Sequence, residues 1–526
     1  MISPFDSCLK KTPPRFQTPL FQSILLGVVF LLVFSAYSTV QFYASTTYGP
    51  ELAANAVSSI YISFTIFCFV APSVVNQWGT RYAMFVGILG YAVLLICSLV
   101  YFVVNTEKSI DEEPSSTDFD FLVILGGWVL GCGAALLWTG QGRLILEYAR
   151  IAELQKNERN VAAEEEEEND GDVFMDINSG TINGVFWAVF QCSALLGGII
   201  TFVYYDRTPT GSVTLYIIFL VLVLLGAVAT QFLLPPSMLQ QNMQNMAVIE
   251  NNHLVEDHND SITHIHLLVK EESSLIQDKD STINETILGT TGNSHHSWRR
   301  EAKETLQIFT NKTVLLLSLT FFYTGFCRPY QQATFGNRFF NRRTIGLEMM
   351  IYNVSSIIGS IFCGRLLDSH KHNRDPFSLS YSSCYWNRKT PRSCALLSLF
   401  LFVIMTTLGD ILAYFQEKNA SETSSATSLD IGDRMIIGPT ISFACWGFSD
   451  ALIQVYCYWW MGITFTKGPD QARVVGFYKC IQSLGESIGF YFIPLNRMGA
   501  MWQLFLNFGV GIIGACLSCF DLPPCV

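Results

Sequence analysis

Charged residues are scarce in this chain. Of its 526 residues only 14% are Asp, Glu, Lys or Arg, whereas 50% are hydrophobic and the mean hydropathy is +0.33. Ordinary soluble domains carry about 25% charged residues. The low charge therefore argues against a soluble globular protein and indicates that the lipid bilayer is the solvent of most of the chain.

Motifs of catalysis are also lacking. The sequence has neither a P-loop nor an HExxH motif, so it lacks the phosphate cradle of ATP-driven pumps and the zinc site of metalloproteases. Its 15 cysteines lie mostly in apolar stretches, where free thiols behave as small hydrophobic groups. No cysteine spacing indicates a disulfide scaffold or a metal site. We expect no enzymatic activity and no cofactor.

What the sequence does contain is a series of apolar stretches of about 20 residues, the length of helix that crosses a hydrocarbon core roughly 30 Å thick. The windows are 20–44, 56–76, 81–104, 119–140, 182–204, 213–234, 312–333, 345–367, 394–415, 435–460, 470–493 and 500–520. The first window has no cleavage site of small residues, so we expect a retained helix rather than a signal peptide. The pattern predicts an all-α polytopic membrane protein with about twelve transmembrane helices.

Polar sequence divides the windows into two groups of six. Residues 235–306 are rich in Asn, Gln and charged residues, and their low hydrophobicity predicts a flexible linker with a short helix near 298–310. The predicted organisation is an N-terminal tail (1–19), a six-helix bundle (20–234), the linker (235–306), a second six-helix bundle (307–520) and a C-terminal tail (521–526).

The distribution of Lys and Arg predicts the orientation, because positive charges resist translocation. Most basic residues of the short loops fall on the same predicted side of the membrane. They are Lys10, Lys11, Arg15, Arg81, Arg143, Arg150, Arg299, Arg300, Lys303 and the basic residues between 365 and 392. The acidic loop from Glu107 to Asp118 belongs on the other side. Both termini are therefore predicted to be cytosolic. Arg338, Arg342 and Arg343 oppose this assignment, since a twelve-helix topology places them outside.

Two short motifs bear on processing and location. Asn419-Ala420-Ser421 is a glycosylation sequon in the polar segment after the ninth window, which the same orientation places outside. In the linker, Glu271, Leu275 and Ile276 fit an acidic dileucine sorting signal. We expect glycosylation at Asn419, and either the plasma membrane or an endolysosomal or vacuolar membrane as the location. The linker histidines, such as His264, are interpreted as solvated polar residues rather than metal ligands.

The two groups of windows share a weak internal repeat. Matching adjacent aromatic residues in the fifth and eleventh windows pairs Gln191 with Gln482, and nearly the same offset pairs Gln41 with Gln331. A duplicated transporter scaffold with its binding cavity between the halves leaves such a repeat. Together with the six-plus-six layout, it predicts two pseudo-symmetric six-helix bundles of the major facilitator type.

Ionisable residues inside apolar windows are costly and are therefore candidates for function. Lys479 and Glu486 lie about two helical turns apart in the eleventh window, and Asp450 lies in the tenth. Such an acid and base can bind a charged substrate or relay a proton. The alternative is a structural ion pair or a lysine that extends to the interface.

Arg143, with Glu147 four residues on, is either a helix-end ion pair or part of the pathway. The candidate pathway residues are Gln41, Arg143, Gln191, Gln331, Asp450, Lys479, Gln482 and Glu486.

A gating motif is also present in the second group. Gly364, Arg365 and Asp368 after the eighth window match the cytosolic motif of facilitators, in which the charged residues pair with neighbouring helix ends and separate as the halves rock. The corresponding first-half segment, Pro72 to Arg81, departs from the motif by lacking its Gly and its Asp. This departure weakens the argument for alternating access.

Four segments resemble the Unc-93-like branch of the major facilitator superfamily, particularly its fungal-type members. They are GCGAALLWTGQGRLILEYA in the fourth window, GFSDALIQVYCYWWMG with GFYKCIQSLGESIGF in the tenth and eleventh, and the stretch beginning FFYTGFCRPYQQ in the seventh. The resemblance implies a multi-pass protein of that fold. It also implies two kinds of relative, namely regulatory or trafficking partners of other membrane proteins, and proteins described as transporters by fold alone.

Two hypotheses of function follow. The first is a secondary transporter that moves a small solute by alternating access, and the second is a non-transporting partner that regulates or escorts a channel or receptor. The expected partners are the lipid bilayer, an unknown small solute or ion and, under the second hypothesis, another membrane protein. No nucleic acid is expected.

Overall fold

The structure is a computed structural model. It describes residues 14–48, 50–108, 120–165, 179–207, 213–240, 294–368, 390–423, 429–430, 432–493, 495 and 497–522. The sorting residues Glu271, Leu275 and Ile276, the linker histidine His264 and most of the acidic loop before Asp120 lie outside these ranges.

The described residues are almost entirely helical, as a bilayer requires, because a helix satisfies its own backbone hydrogen bonds. The first half comprises α1 (Pro19–Tyr48), α2 (Pro50–Phe67), α3 (Ala71–Trp78), α4 (Thr80–Lys108), α5 (Asp120–Glu165), α6 (Ser179–Arg207) and α7 (Val213–Ala229). Helix α8 (Ser294–Phe309) lies in the linker. The second half comprises α9 (Lys312–Arg328), a π-helical turn (Pro329–Phe335), α10 (Gly336–Phe339), α11 (Arg342–Asp368), α12 (Pro391–Thr423), α13 (Ile437–Thr464), α14 (Gly468–Phe492) and α15 (Ala500–Ser518).

Nine of the described helices are long and apolar enough to cross a membrane, and two bent helix pairs raise the number to eleven. One pair is α2 with α3, bent by 63°, and the other joins α8 to the seventh span at 70°. The predicted window 470–493 is the 25-residue helix α14, whose charged residues lower its hydropathy. Each of the twelve predicted windows is thus occupied by a helix or a bent helix pair.

Several spans extend beyond their predicted ends, and two of them show why. Helix α5 was expected to end near residue 140 but continues to Glu165, because the polar residues that follow are mostly good helix formers. The seventh span continues past residue 333 to Phe339 through the π-helical turn that begins at Pro329. Proline lacks a backbone N–H and breaks the regular α pattern at that point.

The helix ends define two sides of the molecule. Leu234, just after α7, donates its backbone N–H to Gln22 near the start of α1, at 2.8 Å. The Ser518 hydroxyl at the end of α15 lies 2.8 Å from that of Thr320 in α9. The start of α1, the ends of α3 and α7, and helix α8 lie on one side, which is called the linker side below.

The side opposite the linker side contains Arg338, one of the three arginines that oppose the predicted orientation. Arg338 pairs with Glu417 of α12 at 2.6 Å, and the Glu417 side chain is fully buried. A buried acid thus compensates the arginine locally. Asn419, two residues further on, is exposed and lies on α12, not in the loop that the sequence predicted.

The two halves meet through helix pairs with matching positions. Helix α2 packs against α14, and α6 packs against α11. At the second contact a Cβ on Gly364 would collide with the Gly180 carbonyl oxygen, so both glycines are needed for this close approach. Helices α5 and α13 contact α14 and α6 across the centre, which places the middle of α14 between the halves.

Candidate translocation site between the halves

Lys479 stands near the middle of α14 and is 2% exposed. Its Nζ donates a hydrogen bond to Gln482 Oε1 at 2.7 Å, one turn along the helix. No ion pair joins it to Glu486, and within the described part of the chain it has no carboxylate partner. The structure therefore does not contain the Lys479–Glu486 ion pair that the sequence left open as an alternative.

Four aromatic side chains surround the Lys479 ammonium. Its Nζ lies 3.9 Å from the ring centre of Trp138, 4.8 Å from Tyr478, 5.7 Å from Trp187 and 5.8 Å from Tyr458. Ring faces attract a cation within about 6 Å. These four rings with Lys479 are called the Lys479 box. Both tryptophans come from the first half and both tyrosines from the second, so the box spans the boundary between the halves.

The other charges of the centre gather on Arg328, at the end of α9. Arg328 pairs with Asp450 of α13 at 2.9 Å and approaches Glu486 of α14 at 3.9 Å. Gln454 donates to Asp450 at 3.2 Å and accepts from the Tyr478 hydroxyl at 3.2 Å. A continuous polar chain therefore links the Arg328 cluster, defined as Arg328, Asp450 and Glu486, to the Lys479 box.

The glutamines paired by the sequence repeat do not meet. Gln41 donates to the Tyr61 hydroxyl at 3.3 Å, whereas Gln331 lies buried in the π-helical turn with its Oε1 unpaired. Gln191 is buried on α6, one turn after Trp187, and Gln482 receives the hydrogen bond from Lys479. No hydrogen bond connects Gln41 with Gln331 or Gln191 with Gln482 in the described structure.

Arg143 belongs to a different cluster, on the linker side. It pairs with Glu147 at 2.6 Å and donates to Asn76 at 3.1 Å, while Asn76 donates to Glu301 of α8 at 3.3 Å. Arg143 is therefore not part of the Lys479 box, and its contact with Glu147 is an ion pair within α5, because the helix continues beyond the end that the sequence predicted.

Helix α8 continues this cluster into the second half. Arg473, near the start of α14, pairs with Glu301 at 2.8 Å, Glu304 at 2.6 Å and Asp470 at 2.6 Å. Arg300 donates a hydrogen bond to Glu304 and holds the pKa of that carboxyl below its usual value. Glu301 of α8 thus bridges the two halves at a position where the first-half gating segment lacks its acid.

The second-half gating motif caps a helix of the first half. Asp368 accepts hydrogen bonds from the backbone N–H groups of Gly180 and Thr181, at 2.8 and 2.6 Å, and from the Thr181 hydroxyl at 2.7 Å. A carboxylate at a helix N-terminus is favoured by the unpaired N–H groups and by the helix dipole. Gly364 gives α11 its close approach to α6, whereas Arg365 is exposed.

One string in the site has the spacing of a hydrolase motif, G-x-S-x-G, at residues 485–489. In hydrolases that serine sits on a sharp turn between a strand and a helix. Here the string lies inside α14, where no such turn exists, and its glycines face the backbone of α9. It is therefore a helix-packing feature. The described residues contain no group of three or more metal-ligating side chains.

Sequence reasoning found some of the site and missed the rest. The structure brings Lys479, Gln482, Glu486 and Asp450 into one connected region, and their role in a pathway stays a prediction. Arg328 was missed, although an arginine inside an apolar window is a visible signal. The roles of Arg473 and Trp187 were also missed, because each depends on a partner from a distant segment.

The class of protein follows from the fold. A solved bacterial homologue of the iron transporter ferroportin, in an outward-facing state, aligns with 95% of this chain and 98% of its own, with a TM-score of 0.57 and 9% identity. The major facilitator superfamily proton:xylose symporter XylE, bound to 6-bromo-6-deoxy-D-glucose, aligns with 95% of this chain and 94% of its own, with a TM-score of 0.53 and 12% identity. The chain has the major facilitator fold, as predicted.

Sequence similarity assigns the chain to one family within this fold class. The sequence profile described as "Ion channel regulatory protein UNC-93" matches residues 54–164 and 175–519, and the chain belongs to the UNC-93 family. UNC93-like protein 1 of Arabidopsis thaliana is 24% identical over 507 residues, which cover 94% of this chain and 88% of that protein. An UNC93-like protein of Schizosaccharomyces pombe is 24% identical over 454 residues, covering 85% and 71%. The resemblance inferred from the sequence is confirmed.

Proposed function

We propose that this protein is a secondary transporter that moves a small solute by alternating access between its two halves. One observation carries the proposal. The Lys479 box is buried, charged and built from both halves, since Trp138 and Trp187 face Tyr458 and Tyr478 across Lys479. Ionisable groups at membrane depth are costly, and they are found where an ion or substrate passes.

Two contacts on the linker side support a rocking movement. Asp368 of the second half caps α6 of the first, and Glu301 of α8 bridges Arg473 to Asn76. Both consist of charged hydrogen bonds between rigid helices, so they can break and re-form without unfolding either bundle. Opening toward the linker side requires both contacts to separate.

The proposed orientation places the linker side in the cytosol. Arg143, Arg150 and Lys303 lie on this side, in agreement with the rule that positive charges stay inside. Both chain termini would then be cytosolic and Asn419 would face the lumen or the exterior. The plasma membrane or an endolysosomal or vacuolar membrane fits this arrangement.

A flux assay on the full chain tests the proposal. Reconstituted into proteoliposomes, the protein should accumulate at least one solute of a broad labelled panel above protein-free vesicles. Glu486→Gln and Asp450→Asn should each lower that uptake about tenfold or more, because each disturbs a buried charged hydrogen-bond network. The control is Lys467→Gln, which removes an exposed lysine just before α14 and should transport normally.

A second function is favoured by the family description and by the degraded first-half gating segment, Pro72 to Arg81. Under this function the protein regulates or escorts a channel or receptor. If correctly inserted protein moves no solute across the panel, the transporter proposal fails. The second function is then supported if one defined channel co-purifies with the protein and its currents change on co-expression.

A further inference from the structure

Three buried nitrogen donors in or next to the Lys479 box lack sufficient acceptors. Lys479 Nζ has three protons but makes one protein hydrogen bond, to Gln482. Trp187 Nε1 is buried without any partner, and so is Gln141 Nε2. Most buried polar groups in proteins form hydrogen bonds, because leaving one unpaired is unfavourable.

These donors belong to one site. The Gln141 Oε1 accepts a hydrogen bond from the Tyr458 hydroxyl at 3.0 Å, and the Tyr458 ring lies 5.5 Å from the Trp187 ring. The Lys479 Nζ lies within 6 Å of both rings, at 5.8 and 5.7 Å. The buried donors of Lys479, Trp187 and Gln141 therefore lie on side chains that adjoin the same aromatic group.

The walls of the site are flat and apolar. The Trp138 and Trp187 rings stack with centroids 6.1 Å apart at 24°, and the Tyr458 ring meets the Tyr478 ring edge to face at 5.7 Å. Aromatic walls with a few convergent polar groups are typical of small-molecule sites. They favour a ligand with a flat body, since ring contacts of this kind stabilise by stacking and edge contacts.

We propose that the Lys479 box binds the carboxylate of a small organic acid with an aromatic body, which is the solute class of the transporter. This inference rests on the proposed function. The carboxylate oxygens accept from Lys479, Trp187 and Gln141, and the ring of the ligand packs against the aromatic walls. Because the walls come from both halves, the bound ligand contacts both halves at once.

The balance of charges in the site predicts that one proton binds together with the anion. Lys479 and Arg328 are offset by Asp450 and Glu486, so a bound anion would leave one net negative charge. Glu486 is the carboxylate farther from Arg328, at 3.9 Å against 2.9 Å for Asp450, and a proton on it would restore neutrality.

The groups that face Glu486 come from four helices. They are Arg328 of α9, Asp450 of α13, Lys479 of α14 itself and the Tyr61 hydroxyl of α2. Removal of this proton carrier should therefore weaken the dependence of uptake on a pH gradient.

The test measures binding and flux separately on the full chain in lipid nanodiscs and proteoliposomes. The probes are benzoate, phenylacetate and indole-3-acetate, with benzamide as the neutral isostere, benzylamine as the cation and acetate as the ringless anion. At least one aromatic acid should bind, and its neutral and cationic analogues should bind about tenfold more weakly or worse. Acetate should bind more weakly than the aromatic acid.

Variants assign the binding to the box. Lys479→Gln should weaken binding of the aromatic acid about tenfold or more, Lys479→Arg should retain part of it, and Lys467→Gln should bind like the unchanged protein. Trp187→Phe removes one N–H and keeps the ring, so it should weaken binding severalfold even if Lys479→Gln fails to fold. Glu486→Gln should make uptake insensitive to an imposed pH gradient.

The outcomes separate the two proposals. Binding of an aromatic acid through Lys479 and Trp187 without flux upholds the site and overturns transport. Flux of neutral or cationic solutes, with no binding of any aromatic acid, upholds transport and overturns the site. Equal binding by Trp187→Phe and by the unchanged protein also overturns the proposed role of the box.

Discussion

At the scale of single residues, Arg338 and Glu417 form a pair whose loss should be costly. The Glu417 side chain is fully buried, and Arg338 bonds it at 2.6 Å. Arg338→Met would leave the carboxylate buried without a partner, which typically costs about 3–5 kcal/mol. We expect a clear fall in the thermal midpoint of the purified protein in detergent.

Two further variants make this prediction specific. Adding Glu417→Gln to Arg338→Met should recover part of the lost midpoint, because the uncompensated charge is removed. Lys418→Ala changes an exposed neighbour and should leave the midpoint unchanged. A midpoint for Arg338→Met equal to that of the unchanged protein would contradict the pair.

Sequence could identify residues of the site but not their pairing. Lys479, Glu486 and Asp450 stand out because a charge in an apolar window is rare. Two helical turns between Lys479 and Glu486 also predicted a shared helix face, yet Glu486 approaches Arg328 instead. Helical spacing fixes which side chains share a face, whereas the choice of partner depends on packing between distant helices.

At the scale of elements, α8 holds the two halves together through Arg473. Arg473→Gln should free Glu301 and Glu304 and loosen α8, so its backbone amides should exchange severalfold faster in hydrogen–deuterium exchange mass spectrometry. Lys303→Gln, an exposed change on the same helix, should leave the exchange unaltered. Unchanged exchange of α8 in Arg473→Gln would refute the role of this contact.

The pH dependence of the α8 contact follows from the lowered pKa of Glu304. A carboxylate whose pKa falls on folding stabilises the folded contact above its ordinary pKa and loses this contribution as the pH drops through the lowered value. The contact is therefore fully formed at neutral pH and weakens only in acid.

Most of the helices could be predicted from the sequence. Each apolar window became a helix, since length and hydropathy alone decide whether a segment can span a bilayer. The end of α5 and the π-helical turn in the seventh span could not be predicted from the sequence. Hydropathy shows where a helix leaves the lipid, not where its backbone hydrogen bonds end. A π turn changes neither the length nor the hydropathy of an apolar segment, so neither quantity reveals it.

At the scale of the whole molecule, the topology makes a prediction about Asn419. If the linker side is cytosolic, glycosylation of Asn419 should give a mobility shift that a glycosidase removes and that Asn419→Gln abolishes. Asn311 also lies in a sequon, but its side chain caps α9 on the linker side. Asn311→Gln should therefore keep the shift.

Protease protection completes this test. Tags at both chain ends should be accessible from the cytosol and protected from outside. One exposed and one protected tag would mean an odd number of crossings and would contradict the paired six-helix bundles. The sequence supported the even number through its charges and windows, whereas it could not explain Arg338, which needed its partner from α12.

The length of α5 has a mechanical consequence. Its 46 residues form one rod roughly 70 Å long, more than twice the thickness of a hydrocarbon core. Gln141 sits beside the Lys479 box, and about 36 Å of continuous helix runs from there to Glu165. A tilt of about 10° at Gln141 would swing that tip through about 6 Å. The helix would therefore act as a lever arm that amplifies a tilt at the buried centre into a larger displacement at its far end.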